Sequence, residues 1–267
     1  MMRRRPHAGL VVATLLASAS LSAQQTADQA RLVFTVGVGQ TASTAQLWQV
    51  PNQPLQVSGG TDTLDVSRAF RPTLNVVLSG TYFPGPHLGV NFEVQMLGLG
   101  TTSHCRVVAA GTDPTTTQLC ADLEGRERTG SAVSTSVGGV YRPFSNQPIH
   151  PYLKLSTGIT ISQQDYVTTI GTLNRGTGNE VDLVLYQNRN SPGLQPYLGF
   201  GGGLVAVIGK GYQFHFELRD NWVRVVRITG PTGFQGLEPP METTGLHVLS
   251  FHFGFDVVLE RKRGRRY

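Results

Sequence analysis

Between Leu246 and Leu259 the chain reads LHVLSFHFGFDVVL, and its side chains sort by parity. Leu249, Phe251, Phe253, Phe255, Val257 and Leu259 form one set; Val248, Ser250, His252, Gly254, Asp256 and Val258 form the other. A period of two belongs to a strand, whose successive side chains point to opposite faces. One face is bulky and apolar and the other is small or polar. Such a ribbon folds only where one side meets an apolar phase and the other a polar one.

Seven earlier stretches repeat the pattern. They run over 31–40, 73–83, 88–99, 129–144, 150–162, 195–208 and 212–222. In the third, Leu88, Val90, Phe92, Val94 and Met96 oppose Gly89, Asn91, Glu93 and Gln95. In the seventh, Tyr212, Phe214, Phe216 and Leu218 oppose Gln213, His215, Glu217 and Arg219. The connections alternate in length. Pro84-Gly85-Pro86, Ser145 to Pro148 and Gly209-Lys210-Gly211 are tight turns. Between them lie long polar segments, 41–71, 100–128, 163–193 and 223–245, which read as loops broken by residues such as Pro51, Pro54, Gly59 and Gly60. Within the third, Glu180 to Gln187 (EVDLVLYQ) alternates weakly, which extends a hairpin or adds two strands.

Eight strands with short turns at one end and long loops at the other fit an antiparallel up-and-down transmembrane β-barrel, with ten strands as the alternative count. Each strand has the length a tilted membrane crossing needs, about 9–11 residues. A soluble barrel with the apolar face enclosing a ligand has the same period, so periodicity alone leaves that orientation open. Charged residues are only 15% and glycines number 32, which suits an all-β chain.

The first residues supply an address. Arg3, Arg4 and Arg5 precede an apolar run, Ala8 to Leu21, and Ser22-Ala23 offers small residues for cleavage. This is the anatomy of a secretory signal peptide over 1–23, with the barrel over 24–260 and a basic tail, RKRGRRY, over 261–267. Of the 22 basic residues, eight lie in the leader and tail, leaving 14 against 17 acidic ones. The net charge of +5 is therefore no argument for nucleic-acid binding. The tail reads as a solvated end or as a patch drawn to anionic surfaces on the inner side. Cys105 and Cys120 are expected to pair in an oxidising compartment.

The leader, the eight strands and the loop rhythm resemble the small bacterial outer-membrane barrels typified by the membrane domain of outer membrane protein A. PYLGFGGGL, GYQFHFELRDN and LHVLSFHFGFDVVL carry the likeness to the last three strands of that class. One departure is the basic tail, which follows the last strand where such chains end on its aromatic residue. The resemblance implies residence in the bacterial outer membrane, with its lipid, lipopolysaccharide and insertion machinery as partners. It leaves any partner of the outer loops unspecified.

By parity the enclosed face carries Glu93, Arg142, Lys154, Glu217, Arg219 and Asp256. An eight-stranded barrel has room only for side chains inside. Buried charges must pair there, so these six are expected to form a network closing the barrel, or a gate for small solutes. His215 and His252 both face inward, too few for a metal site, which needs three or four ligands; His104 beside Cys105 is no stronger. No phosphate loop, GxSxG or HExxH motif occurs, and no local Ser-His motif matches the lipid-modifying barrel enzymes. The expectation is a non-enzymatic barrel without cofactor or metal, with a structural or surface-interaction role; a narrow pore and a lipid-modifying enzyme are the alternatives. Tyr82, Tyr141, Phe144, Tyr212 and Trp222 fall near strand ends, as girdle residues do.

Overall fold

A computed structural model describes residues 31–42, 45–111, 114–162, 165–174, 180–188, 193–209 and 211–260. The expected leader (1–23), the tail (261–267) and Lys210 lie outside these described residues. In chain order the strands are β1 (Arg31–Thr41), β2 (Gln46–Val57), β3 (Gly60–Phe70), β4 (Thr73–Phe83), β5 (Leu88–Gly98), β6 (Thr101–Ala109), β7 (Glu127–Arg128), β8 (Ser131–Tyr141), β9 (Ile149–Ser162), β10 (Thr169–Asn174), β11 (Glu180–Tyr186), β12 (Leu194–Gly209), β13 (Tyr212–Ile228) and β14 (Met241–Glu260). One helix, α1 (Thr115–Leu123), lies between β6 and β7.

β1, β14, β13, β12, β9, β8, β5 and β4 close into a barrel in that order. Every neighbouring pair is antiparallel, and β1 meets both the last strand (Val36↔Phe255) and β4 (Val36↔Leu78). These are the eight strands read from the alternation. β10 and β11 form a two-stranded sheet of their own outside the barrel wall, with a single bridge from Tyr186 to Leu237 among the described residues, so the ten-strand alternative does not hold.

The apolar set faces outward. Phe253 is 51% exposed and its neighbour His252 is 1% exposed. Phe34, Val90, Phe92, Leu155, Phe200 and Phe216 are exposed on the same outer surface, while Glu93, Ser134, Lys154 and Arg219 are buried within. The soluble arrangement with an apolar lumen is thereby excluded, and the fold is that of a transmembrane barrel. Tyr82, Tyr141, Phe144 and Tyr212 are exposed at the short-turn end, whereas Trp222 is half-buried towards the long-loop end.

The long segments read as loops are largely structured. β2, β3, β6 and β7 form a four-stranded sheet, and β13 and β14 run beyond the barrel as a tall hairpin paired to Ile228↔Met241. Two features hide these strands in the sequence. β2 is bent at Pro51-Asn52, where Asn52 has φ 53° and the register to β3 shifts between Val50 and Gln53. β3 does alternate, but its buried set is Asp62, Leu64, Val66, Arg68 and Phe70, so two charged residues stand where a pattern would seek apolar ones.

The loop elements form a cap with a core continuous with the barrel mouth. Trp48, Val50, Leu64, Val66, Leu119, Leu123, Val167 and Tyr186 pack in one cluster with Leu97, Tyr197 and Val248 of the barrel strands. The Cys105–Cys120 disulfide ties β6 to α1. Gln53, fully buried, accepts from Tyr186 Oη (3.0 Å) and the Thr232 amide (2.9 Å) and donates to Thr232 Oγ1 (2.9 Å), joining three connections. The strap entering β10 is held by its main chain. Arg68 donates to the Tyr166 carbonyl at 2.8 Å, Arg128 to that of Thr168 at 3.1 Å, and Arg126 to that of Ile170. Burial pulls Arg68 down to about 9, with Arg128 nearby acting in the same direction.

Candidate functional site

The lumen holds most of the polar chemistry of the barrel. Glu93 projects from β5, Lys154 from β9, and Glu217 and Arg219 from β13. All four are buried. Glu93 accepts from Lys154 Nζ and from Arg219 Nη1, and Arg219 Nη2 reaches its other oxygen at 3.0 Å. Arg219 Nε donates to Glu217 Oε1 at 2.5 Å, and Tyr152 Oη donates to Glu217 Oε2 at 2.7 Å. Two acids and two bases thus neutralise one another across the lumen. The bidentate grip of Arg219 on Glu93 fixes the wall-to-wall geometry.

Neutral side chains extend this cluster towards the cap. Arg219 donates to Gln95 Oε1 at 3.2 Å. Tyr197 Oη lies 3.2 Å from Gln95 Oε1 and 2.7 Å from Asn221 Oδ1. Asn221 donates to Ser250 Oγ at 2.8 Å, and Ser250 Oγ lies 3.0 Å from His252 Nε2. Inward glycines make the room. A Cβ at Gly201 would lie 3.1 Å from Glu217 Oε1, and one at Gly199 would lie 2.6 Å from Tyr197 Oη.

Asp256 forms a separate cluster nearer the short-turn end. It accepts from Thr35 Oγ1 at 2.7 Å and pairs with His215 Nδ1 at 2.9 Å. The His215 ring occupies the space above Gly254, where a Cβ would collide with it. Arg142 makes no hydrogen bond to either cluster: its guanidinium stacks over Phe83 at 3.9 Å, near enough to Asp256 to feel its charge. The six inward charges named from parity all line one cavity, but only four of them interlock. That cavity measures about 40 Å³, room for waters and not for a sugar or an amino acid.

Parity gives the faces but not the partners. It does not single out Tyr152, Gln95, Tyr197, Asn221 or Ser250, because neutral residues on an inward face carry no signal until heights along the barrel are known. Ser250 and His252 are paired although no sequence motif announces them; both are buried in the lumen. His215 and His252 belong to different clusters, and no group of three potential metal ligands gathers among the described residues. In the cap, His104 Nδ1 lies 3.0 Å from Glu124 Oε1 and Cys105 is in the disulfide. The hydrogen bond from His104 holds the Glu124 carboxyl below its usual range.

No protein-family model matches the sequence, and no curated protein does. Solved structures do. The outer membrane protein OprG from Pseudomonas aeruginosa superposes with a TM-score of 0.51 at 10% identity, over 89% of this chain and 99% of that one. A major outer membrane protein from Thermus thermophilus gives 0.40 at 13% identity, over 86% and 99%. Neisserial surface protein A gives 0.38 at 12% identity, over 87% and 99%. The first establishes the fold, the eight-stranded antiparallel barrel of the small outer-membrane proteins; the other two are too loose to add to it.

Proposed function

We propose that this protein is exported on the leader 1–23 and resides in the bacterial outer membrane as a closed, non-enzymatic barrel that presents its ordered cap to the exterior. The observation that carries the closed reading is the Lys154–Glu93–Arg219–Glu217 cluster, which joins β9, β5 and β13 across the lumen and leaves about 40 Å³. The outward apolar belt supports the membrane address, since its exposure to water would be unfavourable at ~25 cal/mol per Å². The cap supports the surface role: it has its own core, a disulfide and polar outer residues such as Gln49, His104 and Arg106.

Planar-bilayer recording of the purified full-length protein tests closure, and the expected record is flat. Discrete single-channel steps would replace this reading with that of a narrow pore. Mass spectrometry of lipid A from cells with and without the protein is expected to give identical spectra. A mass difference corresponding to an acyl change would make it a lipid-modifying enzyme.

A further inference from the structure

The apolar outer face has an interruption on β13. Tyr212, Phe214, Phe216 and Leu218 point outward in succession, but the next outward positions are Asp220, Trp222 and Arg224. In register, Asp220 lies between Phe200 of β12 and Leu249 of β14, which are 60% and 44% exposed on the apolar surface. Trp222 likewise lies between Leu198 and His247. A charged group on this face is costly in hydrocarbon, less so towards the headgroups. Its presence points to a polar partner outside the wall.

The side chains here are arranged rather than scattered. Asp220 Oδ2 meets His247 Nδ1 at 2.7 Å, while Oδ1 is turned in, shielded from solvent, with no hydrogen-bond donor among the described residues. The indole of Trp222 lies against Gly245, where an added Cβ would collide with the ring. Arg224, the register partner of Gly245, sets its guanidinium 5.7 Å from the indole centroid. The bare glycine therefore lets the ring lie against the sheet, with the cation beside it. Arg227, the next base along, is already paired with Glu242, whereas exposed Arg224 has no carboxylate partner among the described residues.

We propose that Asp220, Trp222, Arg224 and His247 form a binding site for the phosphorylated sugar headgroup of an outer-leaflet glycolipid. Arg224 faces phosphate, the exposed His247, held by Asp220, borders the sugar, and the indole offers an apolar plane to the ring. The site lies where the apolar belt gives way to polar residues, the level at which headgroups meet hydrocarbon. This inference rests on the membrane reading above.

The test uses the full-length protein, first inserted into phosphatidylcholine vesicles and checked by heat-modifiable gel migration, then titrated in nanodiscs with purified lipopolysaccharide and with the same lipid dephosphorylated. Intact lipid is expected to bind the wild type at least about tenfold more tightly than Arg224→Glu, the loss that removing a charge-assisted hydrogen bond brings. Trp222→Ala is expected to weaken binding too, and Ser131→Glu, an acid at a distant point of the rim, to leave it unchanged. Equal binding by Arg224→Glu, or equal binding of the dephosphorylated lipid, overturns the site. A dimer of the wild type that Arg224→Glu dissociates assigns the patch to a second copy and also overturns it. Failure of the wild type to insert, seen before any glycolipid is added, overturns the membrane reading itself.

Discussion

Replacing Arg219 with Met removes the one side chain that touches both acids of the central cluster, Glu93 and Glu217. Four donor contacts disappear: two to Glu93, one to Glu217 and one to Gln95. Glu93 keeps Lys154, but Glu217 is left with the Tyr152 hydroxyl alone, so a buried carboxylate loses its cation. Breaking such a buried pair costs about 3–5 kcal/mol. The double variant Arg219→Met/Glu217→Gln removes one charge of each sign and leaves the Glu93–Lys154 pair intact. It is expected to recover more than half of the loss, a coupling of about 2 kcal/mol between neighbouring sites. Urea unfolding in phosphatidylcholine vesicles, followed by the fluorescence of Trp48 and Trp222, measures both. The reasoning is refuted if Arg219→Met lies within about 1 kcal/mol of the wild type, or if the two substitutions simply add.

Three further outcomes follow from other parts of the molecule. Cys105→Ser/Cys120→Ser opens a crosslink spanning 15 residues and is expected to destabilise the cap by about 3 kcal/mol, seen as faster proteolysis of β6 and α1 with heat-modifiable migration preserved. Gly254→Ala forces the His215 ring off its place and is expected to cost about 1–3 kcal/mol in the same urea assay, with side-chain NMR showing the His215 ring separated from Asp256. Burial would raise the Asp165 carboxyl, but hydrogen bonds from Thr168, Val167 and Asn188 outweigh it and hold it below the usual carboxylate range. With a lowered folded-state pKa, its stabilisation is present above the ordinary carboxylate range and is lost as pH falls through the lowered value. The protection factors of the Val167 and Thr168 amides, measured against their intrinsic exchange rates, should therefore fall on acidification through the lowered value, and Asp165→Asn should show that lower protection already at neutral pH.

The barrel was legible because its two faces meet different phases. Hydrocarbon outside and a packed polar lumen inside impose opposite demands on successive residues, so Leu88 to Met96 alternates without exception. The cap was not legible because its sheet is covered by a small core and helped by polar anchors. Asp62 and Arg68 occupy buried positions of β3 and take the place of the apolar residues a pattern would seek. Asp62 succeeds there by accepting from the Gly111 amide at 2.8 Å and from Thr116 Oγ1, and Arg68 by donating to carbonyls and lying over Trp48. The lumen stands between these cases. Which residues point inward follows from parity, but which of them meet depends on strand stagger, and stagger is set by turns and register that no single strand reveals.

The clasp on the strap before β10 has a consequence of its own. Arg68, Arg126 and Arg128 grip peptide oxygens, and a peptide oxygen is common to all twenty residue types. A change of side chain at half-buried Thr168 or Ile170 therefore leaves the guanidinium donors their acceptors, so the seat of the ribbon can outlast substitution of what it carries.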